Sequence, residues 1–195
     1  MKKSTIITLS VIGGILLLII IGIVWGVGAR NSMVRESNEV DKVWGNVQTE
    51  YQRRMDLIPN LVATVKGYAT HERELLERVT AARTAAMSAV GINDKIQTEN
   101  ALSSALSGLR VSLEAYPDLK ANQNFLQLQE EVSDLENKLA ASRRFFNGAT
   151  RDLNTAIETF PACLFAGMFG FHREPMFEIP AADRATLDKA PEIKF

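Results

Sequence analysis

Hydrophobic and polar positions divide the chain into two regimes. From Ser4 to Ala29 there are 26 residues without a charge, flanked by Lys2, Lys3, Arg30 and Arg35. Within them Ile6 to Val27 is almost wholly aliphatic, with Ile15-Leu-Leu-Leu-Ile-Ile-Ile21 at the centre. About 20 apolar residues in a helix cross the roughly 30 Å hydrocarbon core of a bilayer. Residues 6–29 are therefore predicted to form a transmembrane helix after a short tail, 1–5. Ile6, Leu16 and Ile20 lie in the span, and Trp25 takes an interfacial aromatic position near its end.

Beyond Arg30 the apolar residues become periodic. From Arg35 to Ala69 the positions Val40, Trp44, Val47, Tyr51, Met55, Ile58, Val62, Val65 and Ala69 recur at alternating steps of three and four. That spacing is close to the 3.5 period of helices packed side by side. Pro59 removes one backbone donor and predicts a kink or a short break. A second helix is expected over Glu72–Val90, with Leu75, Leu76, Val79, Ala82, Ala86 and Val90 on its apolar face. Gly91 with Asn93 and Asp94 reads as a stop and a new N-cap.

The third helix, from about Asp94 to Ala115, carries Leu102, Leu106, Leu109 and Leu113. Tyr116-Pro117-Asp118-Leu119 ends it as a helix-to-helix turn. Asn122 or Asp118 is then placed to cap the longest helix. Its stripe runs Phe125, Leu128, Val132, Leu135, Leu139, Ser142, Phe146, Ala149, Leu153, Ala156 and Phe160 before Pro161, a span of roughly 52 Å at 1.5 Å per residue. No stretch alternates as a strand does. The predicted class is all-α: one N-terminal transmembrane helix followed by an antiparallel four-helix bundle with long helices, residues 30–161.

The character changes again after Pro161. Residues 162–177 form an apolar, Phe-rich segment, with Phe165, Phe169 and Phe171 separated by Gly167 and Gly170. Three placements are open to it: capping the bundle, docking on another subunit, or lying in the membrane interface. Pro180 and Pro191 make residues 178–195 an extended or disordered tail. Gly22 and Gly26 form a Gly-xxx-Gly pair that would let two membrane helices approach closely. Gly22, Gly26, Phe165, Phe169 and Phe171 are thus the candidate oligomer or membrane contacts.

An uncleaved anchor is favoured over a signal peptide, whose apolar core runs about 7–15 residues. A lipoprotein signal is excluded, because the one cysteine is Cys163. The flanking charges nearly balance, Lys2 and Lys3 against Arg30, Arg35 and Lys42. They lean slightly towards an N-terminus inside and the large domain outside the cytoplasm. A formal net charge of −1 gives no basic excess for nucleic acid, and one cysteine rules out an internal disulfide framework.

Catalytic constellations are missing as well. His71 lies in Thr70-His-Glu-Arg-Glu74, where Leu75 breaks the zinc motif His-Glu-x-x-His. Tyr68 and Phe169, three residues before His71 and His172, exclude the paired Glu-x-x-His sets of di-iron bundles. Cys163 sits in an apolar context that suits inert packing rather than a nucleophile. Arg53-Arg54 and Arg143-Arg144 read as solvated or paired with acids such as Glu50 and Asp56. Glu130, Glu131, Asp134 and Glu136 read as a wet face. No catalytic set, metal set or cofactor motif is expected.

Five blocks together resemble the LemA family of bacterial membrane-anchored proteins. They are Arg53-Arg-Met-Asp-Leu-Ile-Pro-Asn-Leu-Val62, Val65-Lys-Gly-Tyr-Ala-Thr-His-Glu72, Glu114-Ala-Tyr-Pro-Asp-Leu-Lys-Ala-Asn122 with Asn124-Phe-Leu126, Leu135-Glu-Asn137 with Arg143, and Phe160-Pro161 with Phe169-Gly-Phe171. The resemblance covers roughly residues 30–177. It marks Asp56, Leu57, Ile58, Pro59, Asn60, Leu61 and Val62, together with Tyr116, Pro117, Asp118 and Asn122, as motif residues, for which a structural role is expected. Cys163 stands where the family usually has Asn, Phe146 where it has Tyr, and Arg30-Asn31 lacks the usual tyrosine.

The resemblance implies one membrane helix, a four-helix bundle and no enzyme activity. It also implies links to membrane organisation, including magnetosome membrane biogenesis, and to neighbouring membrane-protease or TPM-domain proteins. The expectation is a membrane scaffold that contacts lipid and self-associates as a homo-oligomer. The alternative is an adaptor or regulator of a membrane protease or other envelope protein.

Overall fold

The structure, a computed structural model, describes residues 3–68 and 72–177, and among these every regular element is helical. Ala69, His71 and the tail 178–195 lie outside the described residues. The first helix, α1, runs Lys3–Lys66 without interruption. Nothing between Arg30 and Trp44 is Gly or Pro, so no residue there ends a helix that began in the apolar run. The predicted boundary at Ala29 is continuous helix. The apolar part of α1 is long enough, by length and composition, to cross a membrane, and its side chains from Ile7 to Val24 are largely exposed.

Every seventh residue of α1 from Gly26 onward is buried: Gly26, Met33, Val40, Val47, Arg54 and Leu61. A strict seven-residue repeat keeps one seam of a helix turned towards its neighbours. The helix also passes through Pro59, so the expected short break is not present.

After α1 come α2 (Arg73–Ser88), α3 (Ile92–Leu113), the single turn α4 (Pro117–Lys120) and α5 (Gln123–Glu158). Gly91, with φ +84°, makes the turn into α3 and takes the N-cap position expected of Asn93 or Asp94. That positive φ with extended ψ is a conformation open to Gly and strained for other residues. Pro117 begins α4, where its missing N–H leaves no helical bond unmade. At the start of α5 the Phe125 N–H donates to Asn122 Oδ1 at 3.0 Å, which makes Asn122 the cap.

The chain divides into two compact units, Met1–Gln52 with Glu136–Glu174, and Arg53–Leu135 with Pro175–Phe195. In the second unit α2 and α3 pack on one another. Met55, Ile58, Leu61 and Val65 of α1 join Leu76, Val79, Leu102, Leu109, Leu113, Leu119 and Phe125 in its core. Leu102 is fully buried, so truncation to Ala would cost about 2–5 kcal/mol.

In the first unit Val40, Val47, Leu139, Phe146 and Leu153 are buried. The Trp44 ring lies 5.2 Å from Phe146 and 6.4 Å from Tyr51, edge-on to the latter. After α5 the chain makes the turn α6 (Cys163–Ala166) and a 3₁₀ turn, Gly167–Phe169. Phe160, expected on the α5 stripe, falls beyond the helix end and is 70% exposed.

Candidate functional site

Four groups of residues carry the features singled out in the sequence. The first is the apolar half of α1. Leu16, Ile20 and Trp25 are exposed, each over more than half of its surface, as a lipid-facing side chain would be without its lipid. Ile6 belongs to the same helix.

The second group is the Pro59 segment of the second unit. Pro59 has no N–H, so the Met55 carbonyl, four residues earlier, has no ladder donor. Arg83 of α2 supplies one: its Nε–H donates to the Met55 carbonyl oxygen at 2.9 Å. The freed carbonyl is visible in the sequence; its partner is not. Ile58 and Leu61 face the core, Leu57 and Val62 are half-buried, and Asp56, Pro59 and Asn60 are exposed. The Asn60 carbonyl also accepts from Thr64 Oγ1 at 2.9 Å.

Next to this segment, Arg54 and Glu99 are each 2% exposed and form an ion pair, Nη1 to Oε2, at 3.2 Å. Arg54 Nη1 also donates to Ser103 Oγ at 3.0 Å. Of the two expectations for Arg54, solvated or paired with an acid, the pairing is present, but the acid is Glu99 of α3 and the pair is buried, whereas Arg53 is exposed. The sequence does hold a signal for it: Arg54 falls on the seven-residue seam of α1, and Glu99 lies on the leucine stripe of α3. Charged residues on an apolar stripe are buried in pairs. Arg143 likewise is half-buried, its guanidinium 5.6 Å from the Tyr51 ring centre.

The third group joins two motif blocks that are far apart in sequence. Tyr116 O–H donates to Glu72 Oε1 at 3.0 Å, and Asn122 Nδ2 donates to the Tyr68 hydroxyl at 2.7 Å. The hydrogen bond to the Glu72 carboxylate holds the Tyr116 hydroxyl above its ordinary pKa. Asp118 is exposed on α4. Lys120 Nζ pairs with Glu114, and that contact lowers the Glu114 pKa. These residues hold the start of α2 to the turn between α3 and α5.

The fourth group is the aromatic segment after α5. The Phe165 ring lies 3.6 Å from the point where a Cβ on Gly26 would sit, and stacks with Phe169 at 6.4 Å between centres. Gly22 is half-buried, as is Phe171, whose N–H donates to the Ala166 carbonyl at 3.0 Å. The close approach that Gly26 permits is thus taken by an aromatic ring of the same chain. Asn154 secures the chain beyond Phe171, donating to the Glu174 carbonyl at 3.0 Å and accepting from its N–H at 2.9 Å. Cys163 is exposed, not packed as expected, while Ala166, three residues further on, is buried.

An open groove of about 770 Å³ runs between α1 and α2, lined by Val62, Lys66, Arg73, Leu76, Glu77 and Thr80 among others.

Comparison with known proteins gives the same direction. A model of the LemA family matches residues 43–195. Protein LemA of Metamycoplasma hominis is 26% identical over 164 residues, covering 83% of this chain and 74% of that protein. Magnetosome protein MamQ of Magnetospirillum gryphiswaldense is 30% identical over 90 residues, 46% of this chain and 32% of that one. Magnetosome protein MamQ 2 of Paramagnetospirillum magneticum is 22% identical over 180 residues, 78% of this chain and 66% of that one.

Proposed function

The chain belongs to the LemA family, and on that premise we propose that it is a non-enzymatic, single-pass membrane scaffold. Its helical part, an antiparallel four-helix bundle, self-associates or recruits partners to organise or shape the bacterial cytoplasmic membrane. The observation that carries this reading is the unbroken α1, which joins an exposed apolar run to packed, polar-faced helix. The motif residues Tyr116 and Asn122 make hydrogen bonds that tie the fold together, which also favours a scaffold over a ligand site. Similarity to magnetosome proteins agrees with a membrane-organising role. The bundle lies on the extracytoplasmic side.

The test is the size and shape of the full-length protein extracted in mild detergent and imaged directly. Large homo-oligomers or curved arrays are expected. A monodisperse monomer in nanodiscs, with no cross-linked ladder in cells, would refute the scaffold.

The groove between α1 and α2, apolar at Val62 and Leu76 and charged at Lys66, Arg73 and Glu77, supports a second reading. In it the protein is an adaptor for a membrane protease or TPM-domain protein. Stoichiometric co-purification of such a partner, lost on Glu77→Lys at the exposed edge of the groove, would favour it over self-assembly.

A further inference from the structure

The segment after α5 has a composition and a stem unlike those of a surface loop. Thr159 to Phe171 are 13 consecutive residues without a charge. The residues at its two ends are tied together. Glu158 pairs with Arg173 at 3.0 Å, and Asn154 holds the Glu174 backbone by two hydrogen bonds. A charged, stitched stem therefore carries a wholly uncharged tip.

The tip has two sides. Phe165 and Ala166 face inward, with Phe165 over Gly26 of α1. Leu164 and Met168, four residues apart, face outward and are 63% and 79% exposed; Phe160, earlier in the segment, is exposed as well. Leaving such side chains in water forgoes the gain of burying them. Contiguous exposed apolar groups of this kind mark a contact surface.

The contact with Gly26 sets the depth of that surface. Gly26 lies four residues before Arg30, about 6 Å along the helix axis, in the last turn of the apolar run. Trp25, exposed next to it, has the side chain favoured at a headgroup boundary. The outward face of the tip is thus continuous with the exposed apolar surface of α1 where that surface ends. An apolar face at this level lies about 5–10 Å into the boundary of headgroups and acyl chains.

We propose that Thr159–Phe171 is a foot seated in the membrane interface beside α1, with Leu164 and Met168 inserted among the upper acyl carbons of the leaflet nearest the helical domain. The inference rests on the membrane reading of α1 and adds a second point of contact, fixed by Phe165 on Gly26. Lipid, rather than a second copy of the chain, is the occupant because the face continues the α1 surface and is uncharged throughout.

Cys163, the one cysteine and exposed, is the reporter. The full-length protein is labelled there with an environment-sensitive fluorophore and placed in phosphatidylcholine–phosphatidylglycerol vesicles. Quenching by lipid nitroxides near the head of the acyl chain, with protection from aqueous iodide, is expected. Leu164→Glu with Met168→Glu should abolish both, and Phe165→Ala should weaken them. Iodide quenching without nitroxide quenching would overturn the foot, as would energy transfer between labelled copies with quenching by neither agent. A label at Ile20→Cys in a Cys163→Ser background separates the two claims. If it is lipid-quenched while Cys163 is not, the foot alone fails. If neither is quenched, the anchor fails and the foot with it.

Discussion

Replacing Arg83 by Met tests the account of Pro59 most directly. Met keeps the aliphatic stem but removes the guanidinium that donates to the Met55 carbonyl at 2.9 Å. Met55 is 4% exposed, so water does not readily replace that donor. A hydrogen bond from a charged group contributes about 1.5–3 kcal/mol, and an orphaned buried acceptor costs about 1–3. The expected loss in the Pro59 protein is therefore about 2 kcal/mol.

Pro59→Ala changes the same carbonyl from the other side. Residue 59 regains an N–H aimed at the Met55 carbonyl, and because Pro59 is exposed, little packing is lost. A helix-interior Pro costs about 3 kcal/mol relative to Ala, so this variant should be stabilised by about 1–3 kcal/mol. In its background Arg83→Met should cost under about 1 kcal/mol, since the carbonyl keeps a partner. Guanidinium unfolding of the four full-length proteins in mild detergent, followed by circular dichroism, completes the cycle. A coupling above about 1 kcal/mol is expected. Equal costs of Arg83→Met in both backgrounds would refute the reasoning.

Three further outcomes rest on the same contacts. Glu99→Ala removes the carboxylate paired with buried Arg54 and should destabilise by about 3 kcal/mol, whereas Arg54→Met with Glu99→Leu should recover most of that loss in the same melts. Asn122→Ala deletes the α5 cap and the bond to Tyr68 and should cost about 1 kcal/mol, read as faster hydrogen exchange in the first turn of α5. The raised Tyr116 pKa means that its bond to Glu72 stabilises fully below the unfolded value of about 10 and is lost as pH rises through the folded value. The stability difference between the parent and Tyr116→Phe should therefore be constant at neutral pH and vanish in strong alkali. A difference that persists there would contradict it.

The helices are legible in the sequence because their stripes are regular. Val40, Val47, Tyr51, Met55, Ile58 and Val65 of α1, and Leu135, Leu139, Phe146 and Leu153 of α5, are buried as their spacing predicts. Asn122 is legible as a cap because a side-chain acceptor precedes a periodic run.

Partners across the fold are not legible. Pro59 announces a carbonyl without its ladder donor, but nothing local indicates that Arg83 turns to it. Gly22 and Gly26 read as a helix-pairing face, since local sequence cannot show that Phe165 returns from the far end of the chain. Arg54 reads as solvated or paired with an acid such as Glu50 or Asp56, and nothing local indicates that its buried partner is Glu99 of α3.

The return of Phe165 to Gly26 also sets an order of events during synthesis. About 140 residues separate the two, and at about 5–20 residues per second the ring emerges roughly 7–30 seconds after the glycine. For that interval the Gly26 face of α1 lacks its later cover. Completion of the C-terminal segment then brings Phe165 onto that face.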